Sequence, residues 1–281
     1  MKQNKFKELL VGLKNKIIKK EEAIKLEVDN LQGIGKRHQQ EDSFYMSDCN
    51  DDILMKEKGF LAVVADGMGG MLNGAQTSAA VTTAAREYFE KYLSLNNPAD
   101  KELIEMLHLI DIRVKQLQKE RDVYESGSTL TAVWIHDYMM HFLTVGDSRI
   151  YLLRKGNLYQ INRDHNLKNK LMEKVIKEEM DRDLYQDMMG KSGLTSYIGK
   201  EEIDLIDISV RPFFLEKDDV ILLVSDGVFG TLSEEELTAI LEQDFDNAAQ
   251  NIKNAIERAD KKKQDNYTGI IVKCMNGEGD N

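Results

Sequence analysis

Four short apolar runs in this chain each carry an aspartate at one end. "LAVVADG" closes on Asp66, "LTVGDSR" on Asp147 and "ILLVSDG" on Asp226, while Asp265 in "QDNYTGIIV" stands just before the last run. Apolar runs of this length, bounded by Gly, Ser and Asp, read as strands. An acid at the end of such a run sits where the backbone leaves the sheet, and its side chain can face a cleft.

The same reading extends to "GFLAVVADG", "STLTAVWI", "MMHFLTVGDSRIYLL" and "IDLIDISV" (203–210). In "YLLRKGNLYQI" (151–161), Lys155, Gly156 and Asn157 separate two apolar stretches, a hairpin signal that predicts antiparallel pairing. Apolar residues at three- and four-residue steps predict helices over 74–93 and 101–120. Ser233 with Glu236 forms a capping-box signature that opens "SEEELTAILEQ", and "DNAAQNIKNAIERADKKK" predicts a last helix. Helices in blocks and strands in consecutive groups predict an α+β fold of antiparallel sheets covered by helices, since alternating parallel α/β would interleave them. With two prolines, no linker-like composition and no internal repeat, residues 31–275 read as one domain, with a charged, Met-rich flap at 163–200. Residues 276–281 read as a disordered tail.

Residues 1–30 form a distinct extension. Over 1–28, Phe6, Leu9, Leu10, Leu13, Ile17 and Ile24 fall at near-helical spacing with lysines between them. The pattern predicts a basic amphipathic helix that packs on the domain or docks on a partner or an anionic membrane surface. No run approaches the roughly 18 apolar residues of a membrane span, and no signal peptide is recognisable. Cys49 and Cys274 cannot make a disulfide framework, so the expected setting is the cytoplasm. Lys and Arg total 38 against 49 Asp and Glu, a formal net charge of −11. That balance argues against general nucleic-acid binding and means that an anionic substrate needs local positive charge, such as bound metal.

Clustered carboxylates are hard ligands that suit Mg²⁺ or Mn²⁺, and the five histidines show no metal-ligand spacing. Two close carboxylates repel unless a cation lies between them or a pKa rises. Glycine follows Asp66 and Asp226; it permits a sharp turn and leaves the Gly67 carbonyl free to act as a ligand. In "GKRHQQEDSF", Arg37 offers a planar fork that matches phosphate, with Glu41 and Asp42 close behind it. Alone, each piece is an ordinary turn or a solvated charge; together they describe a site.

These residues resemble the metal-dependent protein phosphatases of the phosphatase 2C type, above all the bacterial single-domain members. Five stretches match in order: "RHQQEDS" (37–43), "VVADGMGG" (63–70), "GDSR" (146–149), "LLVSDG" (222–227) and "DNYT" (265–268), with "SGSTLTAVWI" and "RDHNL" as weaker support. The resemblance implies a four-layer α-β-β-α sandwich, two antiparallel sheets flanked by helices, with two Mn²⁺ or Mg²⁺ ions at one edge. It implies that Asp66 bridges both ions with the Gly67 carbonyl on one, and that Asp226 and Asp265 ligate the other. Glu41 and Asp42 would hold metal-bound waters, Arg37 would bind the substrate phosphate, and Asp147 would serve a third ion. The implied activity is hydrolysis of phosphoserine and phosphothreonine in phosphoprotein substrates, opposing a Ser/Thr kinase. Two ions about 4 Å apart acidify a bridging water, so that hydroxide attacks phosphorus and no protein nucleophile is needed. The alternatives are a catalytically silent pseudophosphatase that binds a partner, and an enzyme acting on small phosphate esters. Two departures stand out: Met68 replaces the His that follows Asp-Gly in many eukaryotic members, and "KSGLTSYIG" (191–199) has Ser196 where the bacterial pattern has Arg.

Overall fold

Strand β3 explains the architecture, because its side chains are buried on both faces. The computed structural model describes residues 25–68, 72–122, 124–188 and 193–275. Along them run β1 (Lys25–Gly33), β2 (Asp42–Met46), α1 (Asp52–Glu57), β3 (Phe60–Met68), α2 (Leu72–Lys91) and α3 (Ala99–Arg121). Then follow β4 (Gly127–Ser128), β5 (Leu130–His136), β6 (Met139–Val145), β7 (Arg149–Arg154), β8 (Asn157–Gln160), α4 (Leu167–Ile176) and α5 (Arg182–Met188). The chain continues through β9 (Asp207–Ile208), β10 (Phe213–Phe214), β11 (Val220–Val224), α6 (Asp226–Phe229), α7 (Glu234–Gln243), α8 (Ala248–Ala259) and β12 (Tyr267–Met275).

One sheet has the order β1-β12-β11-β7-β8 and the other β10-β6-β5-β3-β2, with β4 joined to β3 and β9 to β6. Every pairing is antiparallel. Successive strand residues point to opposite faces. In β3, Phe60, Ala62 and Val64 therefore meet Ile150, Ile221, Leu223 and Ile270 in the core between the sheets. Leu61, Val63 and Ala65 face the helices and pack with Val81, Ala85, Phe89, Met106 and Ile110 of α2 and α3. A third core joins the outer face of the first sheet to Leu237, Leu241, Ile252 and Ile256 of α7 and α8. Three apolar layers between four layers of secondary structure give the α-β-β-α sandwich. The antiparallel sheets and the flanking helices agree with the expected fold class.

The helices follow their sequence spacing. Val81, Ala84, Ala85, Tyr88 and Phe89 form one buried stripe of α2, and Leu103, Met106, Leu107, Ile110 and Val114 form that of α3. The expected capping box at α7 is present, with the Ser233 and Glu236 side chains each bonded to the other's backbone. The β7–β8 hairpin turns on two residues, Lys155 (φ 52°) and Gly156 (φ 76°), with Arg154 opposite Asn157. Positive φ at both central positions suits a primed turn.

Two expectations are corrected. The expected helical extension over 1–30, with its helix over 1–28, overruns a strand: β1 begins at Lys25 and pairs with β12 along its full length, Lys25 opposite Met275 and Gly33 opposite Tyr267. Leu26 and Val28 alternate with Lys25, Glu27 and Asp29, a period of two that β12 rewards with hydrogen bonds. The remainder of that helix, residues 1–24, and the tail 276–281 lie outside the described residues. Within 203–210 only Asp207 and Ile208 pair as strand, with Thr144 and Leu143. The flap segment contains two helices, α4 with Asn166 as its N-cap, and α5. Among the described residues no helix is long and apolar enough to cross a membrane.

Candidate active site

The antiparallel register of β2 and β3 sets Asp42 opposite Asp66. Facing like charges repel, so this pair is costly unless a cation or a proton intervenes. The ends of β3, β6, β11 and the start of β12 meet at the same edge of the sandwich. Asp66 registers the convergence: burial pushes its carboxyl well above the usual range, and the charges of Asp42, Asp226, Asp147 and Asp265 push it further.

Each acid is fixed by the fold around it. The Asp66 N–H donates to Thr129 Oγ1 (2.9 Å), and the Thr129 N–H donates back to the Asp66 carbonyl (2.8 Å). Asp42 is buried in the second sheet, and Ser225 Oγ, just beyond β11 in the first, donates to its Oδ2 at 2.7 Å. That bond ties the sheets together at the site. Burial raises Asp42 to about 6 against the hydroxyls of Ser225 and Thr268, and Asp226 and Asp265 add to the rise. Asp226 opens α6; burial and then Asp265 raise it to about 6, opposed by Arg37. Asp147, in the β6–β7 turn, rises to about 7 through burial, Asp226 and Asp164, with Arg149 acting against it.

Arg37 lies across the cluster, its guanidinium donating to Asp265 Oδ2 at 2.5 Å, and its side chain is half exposed. Glu41 is raised by burial, with Arg37 lowering it and Asp265 raising it. Its Oε1 is buried and has no hydrogen-bond partner among the described residues. A buried acceptor without a donor is costly, and it marks a place where a further group can bind.

The glycines after the acids answer to close approach, which corrects the expected reason. Neither Gly67 nor Gly227 lies at positive φ. A Cβ on Gly67 would sit 2.2 Å from the Gly74 carbonyl oxygen and 2.5 Å from that of Glu41; one on Gly227 would sit 1.9 Å from the Asn266 carbonyl oxygen. These backbones touch, and only hydrogen fits between them.

All the residues expected at the site, Arg37, Glu41, Asp42, Asp66, Gly67, Asp147, Asp226 and Asp265, are thus brought to one sheet edge. Among the described residues no three His, Cys, Asp or Glu side chains are grouped so as to hold a metal ion unaided. The carboxylates stand within electrostatic reach of one another, and backbone oxygen or water would have to complete any coordination shell. An all-oxygen donor set, an orphaned Glu41 oxygen and raised carboxyl pKa values together fit a hard divalent cation.

Sequence reasoning missed the neutral residues that hold these acids. Asn266 Oδ1 accepts from the Glu41 N–H (2.8 Å), and its Nδ2 donates to the carbonyls of Ile34 (2.9 Å) and Gln39 (3.0 Å), binding the Arg37 loop to Asp265. Its signal was the Asn of "DNYT". Thr129 Oγ1 lies 2.8 Å from Ser148 Oγ and joins the Asp66 and Asp147 loops. Ser196 is buried: its Oγ donates to the Leu205 carbonyl (2.8 Å) and accepts from the Leu205 N–H (3.1 Å). The position where Arg is usual therefore serves the loop. Met68 and the Tyr197 ring meet over Gly127, where a Cβ would sit 2.9 Å from Met68 Cε and 2.5 Å from Tyr197 Cδ2.

Comparison with known proteins gives the family and the fold. The sequence profile of the family described as Protein phosphatase 2C matches residues 34–263. The chain is 28% identical over 188 residues to protein phosphatase PhpP of Streptococcus pneumoniae, covering 66% of this chain and 74% of that one. It is 28% identical over 189 residues to serine/threonine phosphatase stp of Listeria innocua, covering 66% and 73%. Its fold is similar to that of the Mycobacterium tuberculosis serine/threonine phosphatase PstP/Ppp, with a TM-score of 0.71, 23% identity and 90% and 99% of the two chains covered. The catalytic domain of PstP in complex with two manganese ions gives 0.69 at 22% identity, with 90% and 99% covered.

Proposed function

From the premise that this chain belongs to the protein phosphatase 2C family, we propose that it is a metal-dependent phosphatase of phosphoserine and phosphothreonine in proteins. The single observation that carries the reading is the set of carboxylates whose charges converge on Asp66. So many acids at one buried edge have no structural use that would repay their repulsion, whereas divalent cations would relieve it.

In this reading Asp66, the Gly67 carbonyl, Asp226 and Asp265 would hold two Mn²⁺ or Mg²⁺ ions, with Glu41 and Asp42 holding waters near them and Asp147 available to a third ion. The manganese-bound PstP structure supports the choice of metal. When bound, such ions supply an acidified water and positive charge beside the phosphoryl group. Arg37 contributes through its fork of donors: anchored on Asp265, it points at the cluster and presents its remaining N–H groups to phosphate oxygens, whose charge spreads in the transition state. Asn266 keeps Arg37 and Glu41 in register with Asp265. Met68 offers no proton two residues after Asp66, so the leaving oxygen takes its proton from water or another group. A cytoplasmic setting, opposite a Ser/Thr kinase, completes the proposal.

The test is phosphate release from a phosphothreonine peptide, first in EDTA and then with Mn²⁺ restored. Release only with metal is expected. Release of equal rate in EDTA would overturn the metal-dependent reading.

A further inference from the structure

Behind the Arg37 loop lies a cleft of about 340 Å³, walled by residues 33–36 on one side and by α8 and residues 260–267 on the other. Three lysines, Lys36, Lys253 and Lys261, stand on its walls, above an apolar floor that includes Ile256 and Tyr267. Ile34 also lines it and is 45% exposed.

Positive charge here is out of keeping with a chain whose net charge is −11. Three lysines stand against two acids in the lining: Asp260 pairs with Lys36 at 3.1 Å, and Glu257, whose Oε1 accepts from the Tyr267 hydroxyl at 3.4 Å, keeps its charge, so Lys253 and Lys261 leave the balance positive. Lys253 is half-buried and has no carboxylate partner among the described residues. The exposed run that closes the cleft continues through Lys262 and Lys263. On a chain of net negative charge, these lysines make the cleft a place that favours an anionic group.

The segments that wall the cleft adjoin those that carry the candidate site. Lys36 immediately precedes Arg37, and the Lys36 N–H donates to the Gln264 carbonyl at 2.9 Å. Gly35 abuts Asp265 so closely that a Cβ would sit 2.3 Å from its carbonyl oxygen. On the other flank, Lys261 Nζ donates to the carbonyl of Gly230, which follows α6 and therefore Asp226. An extended chain covers about 3.3–3.6 Å per residue. A few residues on one side of a phosphorylated side chain held at Arg37 would reach the lysines.

We propose that this cleft docks an acidic segment of the phosphoprotein substrate, lying beside the phosphorylated residue. The proposal rests on the phosphatase reading above. Its chemistry is carboxylates of the substrate against Lys253 and Lys261, with an apolar side chain of the same segment over Ile34 and Ile256. Exposed ion pairs are individually weak, so discrimination comes from two or three acting together and fades as salt screens them.

The experiment compares kcat/KM with Mn²⁺ for two phosphothreonine peptides, identical except for glutamates or lysines flanking the phosphoresidue, alongside 4-nitrophenyl phosphate. The expected result is an acidic-flank preference of roughly three- to tenfold at low salt, shrinking in about 0.5 M NaCl. In Lys253→Glu, and separately in Lys261→Glu, the ratio of the two peptides should fall to one or invert; a ratio taken within each variant cancels any general loss of activity. Equal use of both peptides by the parent, or a ratio unmoved by both charge reversals, overturns the docking site while 4-nitrophenyl phosphate turnover leaves the phosphatase reading intact. Failure to hydrolyse all three substrates removes that reading, and the docking site with it.

Discussion

Asp42→Asn should stabilise the metal-free protein while weakening its response to Mn²⁺. Asp42 is buried, faces Asp66 across β2 and β3, and titrates at about 6 in place of its ordinary 3.8. A carboxyl whose pKa is raised by folding binds protons more tightly in the native state, so stability falls as pH rises from the unfolded value through the folded one. At about 1.4 kcal/mol per pH unit, the rise from 3.8 to about 6 makes ionised Asp42 cost the fold roughly 3 kcal/mol above pH 7, and about 1 kcal/mol at pH 4.5. Asparagine keeps the shape and an acceptor for Ser225 Oγ but removes the charge. In EDTA at pH 8 the variant should therefore melt roughly 6–12 °C above the parent, taking about 2–4 °C per kcal/mol for a chain of this size. The gap should narrow toward pH 4.5. Saturating Mn²⁺ should reverse the order, because ligation adds stability by mass action and the parent binds more tightly. Thermal unfolding followed by circular dichroism, in EDTA and in Mn²⁺ from pH 4.5 to 8, reads all three effects. A variant that melts below the parent in EDTA at pH 8, or that gains as much from Mn²⁺ as the parent does, would refute the reasoning.

Further outcomes follow from the same geometry. Gly67→Ala places a methyl group 2.2 Å from the Gly74 carbonyl oxygen; it should destabilise by about 2 kcal/mol or more, visible as a lower urea midpoint, with loss of turnover. Asn266→Ala removes three hydrogen bonds that hold the Arg37 loop and should lower kcat/KM at least tenfold, with Asn266→Asp no substitute because its carboxylate cannot donate. Deletion of residues 1–28 strips the pairing of Lys25–Val28 with Val272–Met275 and should lower the melting temperature, whereas deletion of residues 1–24 leaves β1 whole and should not cost that pairing. Paired melts of the two truncations separate these results.

Much of this molecule can be read from its sequence where one residue carries one job. β3 and β11 were legible because strands buried on both faces are continuous apolar runs, and Asp66 and Asp226 were legible because an acid at the end of such a run is conspicuous. β1 was not: Leu26 and Val28 alternate with charged residues, but Ile17 and Ile24 just upstream share a helical spacing, and only pairing with β12 decides between the two periods. The two-residue strands β9 and β10 depend on a neighbour, β6, rather than on any propensity of their own. Asn266, Thr129 and Ser148 lie inside stretches that the sequence marks, yet their roles were not legible, for a different reason. Their hydrogen bonds join segments far apart in the chain, and an uncharged side chain gives no sign of which partner it will meet. Ser196 is informative in the same way: a substitution that reads as a lost cation proves to be a hydroxyl clasping the backbone of Leu205.

The claim at the centre is that Asp66 organises a divalent-metal site that hydrolyses phosphoproteins. Calorimetric titration of Mn²⁺ into the EDTA-stripped chain and into Asp66→Asn, with phosphate release from a phosphothreonine peptide measured on the same samples, tests it most directly. Mn²⁺ binding and metal-dependent release are expected of the parent, and loss of both in a variant that still folds. A folded parent that binds no Mn²⁺, or an Asp66→Asn protein with undiminished turnover, would contradict it, the first result pointing to a catalytically silent binding protein.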